Sequence, residues 1–222
     1  MHRNLANAIH DEVTIRCPNG DNTDPKIFRV PRLTLARAPA LLTFFESEFY
    51  AAHCDMLLTF MNDPAAVLDI VIRYLEQGPE LFDTSTLRVY VHRHYSTPAR
   101  IVVLVRLCKM ANNLGLRFLH QMAFDVLEDG DRYVTAHLLP TVASLVFAVK
   151  ANQQSVVKEW CLAHVGHHFL ELKDDYTWDR CLVKSEQELT VEWNKMMQQN
   201  ADIIYRYDWP SSIPPYPRCP VC

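Results

Sequence analysis

Glycine is scarce in this chain, with five in 222 residues, and no two are close enough to form a loop that cradles phosphate. Nucleotide-binding fingerprints built on clustered glycines are therefore excluded. No Gly-x-Ser-x-Gly elbow is present either, so the common strand-to-helix presentation of a nucleophilic serine is missing. Charge of one sign is not concentrated anywhere. The net charge is −4 and no basic block stands out, which leaves non-specific nucleic-acid binding without its electrostatic term. Long apolar runs are lacking. The apolar run Ile101 to Leu107 is interrupted by Arg106, so no membrane span is expected. Met1 to Leu5 lacks the apolar stretch of a secretion signal, and no Asn-x-Ser/Thr sequon occurs. Seven widely scattered cysteines, an odd number, are expected to be reduced thiols of a cytoplasmic or nuclear protein.

What is present is apolar content sufficient for a core, 49% of the chain, ordered in a specific way over Asp11 to Gln77. Asp11 to Cys17 alternates, placing Val13, Ile15 and Cys17 on one face of a strand. Pro18 to Asn22 is turn chemistry, and Lys26 to Val30 is a second strand stopped by Pro31. Leu33 to Tyr50 has helical spacing, with Pro39 marking a join between two short helices. Met56 to Met61 is a continuous apolar run suited to a strand buried on both faces. Asp63-Pro64 then opens a helix from Ala65 to Gln77, closed at Gly78-Pro79.

The remainder reads as mostly helical. Leu81 to Arg100 looks irregular, with a strand at Leu87 to Val91. Helices are expected over Ile101 to Leu116, Arg117 to Glu128, Leu139 to Val149 and Ser155 to Leu172. Ser185-Glu186-Gln187-Glu188 has the form of a capping box, opening a last helix that carries Leu189, Trp193, Met196 and Ile203. Trp209 to Cys222 holds five of the thirteen prolines and is expected to be an extended tail.

The ordered set resembles the BTB/POZ domain. Phe28-Arg29-Val30-Pro31-Arg32-Leu33 matches the family's second strand and following turn, and Ala38-Pro39-Ala40-Leu41-Leu42-Thr43-Phe44-Phe45 its Ser-Pro-x-Phe-Phe stretch. Asn62-Asp63-Pro64-Ala65-Ala66 and Leu104 to Leu116 match two later helices. The style is similar to divergent BTB proteins common in fungi. The usual His-Lys and Ser-Pro signals stand here as Pro31-Arg32 and Ala38-Pro39. The resemblance implies an α/β (α+β) fold: a three-stranded sheet flanked by helices, followed by a helical C-terminal extension. The division is residues 1–10 as an N-terminal segment, 11–130 as the BTB-like domain, 131–208 as the helical extension and 209–222 as the Pro-rich tail. It further implies a non-enzymatic interaction module that self-associates as a homodimer or scaffold, without a cofactor. In many members it docks on a cullin as a ubiquitin-ligase substrate adaptor. Leu5 and Ile9, four apart before the first strand, are the residues that the resemblance places at a dimer interface. A monomeric linker like Skp1 or elongin shares the same fold core.

The competing class is a metal-binding helical protein or enzyme. Cys161, His164 and His168 stand at i, i+3 and i+7, one face of a helix, with His167 beside them. Thiolate and imidazole are zinc ligands, but a structural site usually takes four. The plainer expectation is a buried cysteine with histidines at a helix border. Cys219 and Cys222 form a terminal Cys-x-x-Cys, half of a zinc ribbon whose other half is absent from the sequence. Cys219 also stands four from the end, the position of a prenylated cysteine, although Pro220 beside it is unusual there. His92-x-His94 on the expected strand is a weaker metal pair, and Asp174-Asp175 reads as a solvated turn. Phe44, Phe45, Phe49, Tyr50, Trp160 and Trp193 read as core.

Overall fold

A computed structural model of the chain describes residues 12–17, 26–38, 40, 65–148, 155–185 and 187–201. It opens on an antiparallel hairpin of β1 (Glu12–Cys17) and β2 (Lys26–Pro31), with Val13 opposite Val30 and Ile15 opposite Phe28. The alternation decides the faces. Val13, Ile15, Cys17, Phe28 and Val30 are buried while Glu12, Thr14, Ile27 and Arg29 face out. A short helix α1 (Arg32–Leu35) follows at once and buries Leu35. The expected third strand, Met56 to Met61, lies outside the described residues, as do the aromatic residues Phe44 to Tyr50. Among the described residues the sheet has two strands, and the class is mixed α and β with helix dominant.

Helix α2 (Ala65–Gln77) has the bounds that its flanking Asp63-Pro64 and Gly78 imply. Its end is built with care. Gly78 takes φ +79, where a side chain would be strained, and its N–H bonds Tyr74 O at 2.9 Å. Arg37, just after α1, donates to Leu75 O at 2.8 Å, satisfying another terminal carbonyl. On the outer face Asp69 is a hub. It accepts from Lys26 Nζ at 2.9 Å, Arg73 Nε at 2.8 Å and Tyr90 Oη at 2.5 Å. Burial pushes its carboxyl up, but the three donors outweigh burial and hold it at about 2. Burial and the Asp69 carboxylate together push the Tyr90 phenol up. One carboxylate thus ties hairpin, α2 and the next helix together.

That next helix, α3 (Thr84–His94), replaces the strand expected at Leu87 to Val91. Alternation would put Leu87, Val89 and Val91 on one face. Instead Leu87 and Val91, one helical turn apart, are wholly buried and Val89 is 66% exposed. Asp83 caps the helix, accepting from the Thr86 N–H and hydroxyl, each at 2.7 Å. Helix α4 (Thr97–Asn113) starts a turn earlier than its apolar run, because Pro98 falls in its first turn, where a missing N–H costs nothing. It buries residues around most of its circumference, from Ile101 and Val103 to Met110 and Ala111, as a central helix must. Its end is a Schellman motif: Leu116 N bonds Ala111 O, Gly115 N bonds Asn112 O, and Gly115 takes φ +70. Helix α5 (Arg117–Glu128) then packs back on α4.

A 3-10 turn (Asp131–Tyr133) leads to α6 (Leu139–Val146), α7 (Ser155–His167), α8 (Phe169–Leu172), α9 (Tyr176–Lys184) and α10 (Gln187–Gln199). The single helix expected over Ser155 to Leu172 is broken at His168, which leaves helical geometry and caps α8. Helix α6 ends at Val146, three residues short of its expected end, and Ala148 bridges Ser185. Glu186 of the expected capping box lies outside the described residues. Helix α4 packs on α6, and one apolar core runs from Val13 to Trp193. In the extension it is built on Trp193, which meets Phe169 at 5.0 Å and Trp178 at 5.2 Å between ring centroids.

Candidate functional site

The sequence singles out the Cys161 face of α7, and the structure divides it. Cys161 is fully buried in the core, and burial, with Cys181 nearby, pushes its thiol up. A thiol held protonated is a poor metal ligand. His164 and His168, both partly buried, instead line a cavity of about 500 Å³ with Asp131, Arg132, Trp160 and His167.

Asp131, Trp160, His164 and His168 are engaged with one another or with close neighbours. Asp131 Oδ1 accepts from Trp160 Nε1 at 2.6 Å and faces His164 Nε2 at 3.2 Å. The His164 ring lies edge-on to Trp160, 4.8 Å between centroids. His168 has Glu171 Oε1 2.9 Å from Nδ1 and Val134 O 3.2 Å from Nε2. Both neighbours are acceptors, and each lies within hydrogen-bond distance of one ring nitrogen. Among the described residues no three His, Cys, Asp or Glu side chains are grouped to hold a metal ion.

The other sequence candidates have plain places. His92 and His94 lie on α3 and diverge: His94 stacks on Tyr90 at 4.5 Å, and His92 accepts from Arg100. Asp175 caps α9 through Thr177 N at 2.7 Å, and Asp174 pairs with Lys173 at 3.0 Å. Leu5, Ile9, Cys219 and Cys222 lie outside the described residues. Sequence reading missed Asp131, the acceptor that fixes Trp160. Its only local signal was Asp129-Gly130-Asp131, read as a helix stop.

Among the described residues no helix is long and apolar enough to cross a membrane. Comparison with protein-family models, with curated proteins and with solved structures finds no match.

Proposed function

We propose that the chain is a non-enzymatic protein-interaction module of the BTB/POZ kind, serving self-association or scaffolding. The observation that carries this reading is the order of described elements. A two-stranded hairpin with one buried face leads directly into a short helix. Helices α2 to α5 then follow in chain order, an order that supports the reading. The implied assembly is a homodimer, and the implied larger partner is a cullin scaffold for which the chain would be a substrate adaptor. Four described cysteines, Cys17, Cys108, Cys161 and Cys181, are free and buried, which supports a reducing compartment, cytoplasm or nucleus.

Light scattering after size exclusion tests the self-association, alongside a pull-down probed for cullins. The reading expects a wild-type dimer and a folded monomer for Leu5→Asp with Ile9→Asp, since carboxylates at an apolar contact are costly to bury. A wild-type monomer that recovers a cullin would point to the Skp1-like linker instead. A monomer that recovers none would remove the interaction reading.

A further inference from the structure

On the other side of the Asp131–Tyr133 turn from the histidine cavity lies a second one, of about 330 Å³, between α3, α4 and the end of α5. Its floor is apolar and buried: Val91, Ile101, Leu104 and Val126. Its rim carries Arg88, Arg100 and Arg132, with His92, Thr97, Asp129 and Tyr133 between them. Among the described residues the one carboxylate lining it, Asp129, is paired with Arg88. Arg100 donates to the His92 ring and to the Thr97 hydroxyl at 2.5 Å, neither of them anionic. Arg132 lies over the Tyr133 ring at 4.8 Å, and Arg100 approaches the same ring at 5.9 Å. Two guanidinium groups therefore converge on one tyrosine at the mouth of an apolar cavity, with no carboxylate partner among the described residues.

We propose that this cavity binds a small organic phosphomonoester, its phosphate held by Arg100 and Arg132 beside Thr97 and its organic group resting on Tyr133 and the apolar floor. Each part of the ligand answers a feature of the site. Two uncompensated positive charges match a group carrying about −1.5 to −2 at neutral pH, where a carboxylate supplies one. Arginine presents several N–H donors in a planar fork suited to phosphate oxygens. The floor would gain nothing from inorganic phosphate, so an apolar substituent is expected. The volume is near the lower end of the roughly 300–1,000 Å³ of small-molecule sites, which fits a small ester rather than a nucleoside triphosphate. His92 responds to the same field: burial, then the charges of Arg100 and Arg88, push its pKa down. The groups lining the cavity with it are Arg88, Arg100, Asp129, Arg132 and Tyr133, and filling the site with a dianion offsets their net positive charge. The phosphoryl group could be carried by a free metabolite or by a phosphorylated side chain of a partner. The site stands whether or not the chain self-associates.

Calorimetric titration of the full chain at low ionic strength tests this, with phenyl phosphate, benzoate, inorganic phosphate and a phosphotyrosine peptide as probes. Phenyl phosphate should bind one to one, at least tenfold tighter than benzoate or inorganic phosphate. Arg100→Gln with Arg132→Gln should weaken it at least tenfold while leaving the thermal melt in place, and Lys195→Gln should change nothing. A peptide that binds as tightly as phenyl phosphate supports the site and assigns the phosphate to a partner protein. A weaker peptide supports it and assigns a free metabolite. No binding of phenyl phosphate, equal binding of benzoate, or full binding by the double arginine variant overturns the proposal. If that variant melts early, Arg132→Gln alone, altering an exposed side chain, carries the same test.

Discussion

The two cavities flanking the Asp131–Tyr133 turn share Arg132 in their linings, yet they handle charge in opposite ways. In the histidine cavity four polar side chains have partners of their own: Asp131 serves Trp160 and His164, and Glu171 and a backbone carbonyl serve His168. In the arginine cavity only Arg88 has a carboxylate, and Arg100 and Arg132 lean on neutral groups. The first arrangement is what structural polar groups require, since burial without a partner is costly. The second is what a binding site for an anion requires. The difference shows that ligand-like spacing on one helix is a weaker sign of chemistry than the balance of charge around a cavity.

The largest effect should come from the residue that spacing favoured. Cys161→Asp should destabilise the fold by about 3 kcal/mol or more, because it places an ionisable group in a site without a counter-charge. Denaturant unfolding measures this, and a tolerated substitution would mean that Cys161 can face solvent and metal after all. Asp131→Ala should cost about 1 kcal/mol, by leaving the Trp160 N–H without its acceptor, discounted because Asp131 itself is half exposed. Asp131→Asn should restore most of it, as an amide oxygen still accepts.

The Asp69 hub sharpens the comparison through pH. Its folded pKa lies below the ordinary 3.8, so its contribution is fully present above that value and is lost as the pH falls through about 2. Asp69→Asn should flatten the acid limb of a stability–pH curve between those limits and leave the neutral region sloped as before. An unchanged acid limb would show that the hub is not formed. The smallest effect belongs to the arginine cavity. Arg132→Gln should alter unfolding free energy by no more than about 0.5 kcal/mol, since the side chain is exposed and has no charge partner among the described residues. A large loss would make Arg132 a structural residue and erase the contrast.

Much of the fold was legible where local chemistry agreed with burial. Ala65 to Gln77 and Arg117 to Glu128 were readable to the residue, because turn and stop residues bracket an apolar face, Asp63-Pro64 and Gly78 for the first and Gly115 and Gly130 around the second. Leu87 to Val91 was not, since alternating Leu, Val and Val fits a strand until the depth of Val89 is known. The helix break at His168 has only Gly166 before it, and a lone glycine inside a helical pattern is tolerated too often to announce a break. The candidate site was legible only as a list of ligand types. Whether Cys161 points inward depends on α6, α9 and α10 packing around it, which no local pattern carries. Arg88, Arg100 and Arg132 come from three different elements, so nothing in the chain order joins them.

The most direct measurement is an NMR titration of the His92 ring in phosphate-free buffer of low ionic strength, repeated in Arg100→Gln and with phenyl phosphate added. The account predicts a pKa below the ordinary histidine value in the wild type, because burial and the Arg100 and Arg88 charges oppose protonation. It predicts a rise in the variant and a rise on adding the phosphomonoester. A wild-type pKa at or above the ordinary value, unmoved by either change, would contradict it, for the arginine charge would then be balanced already.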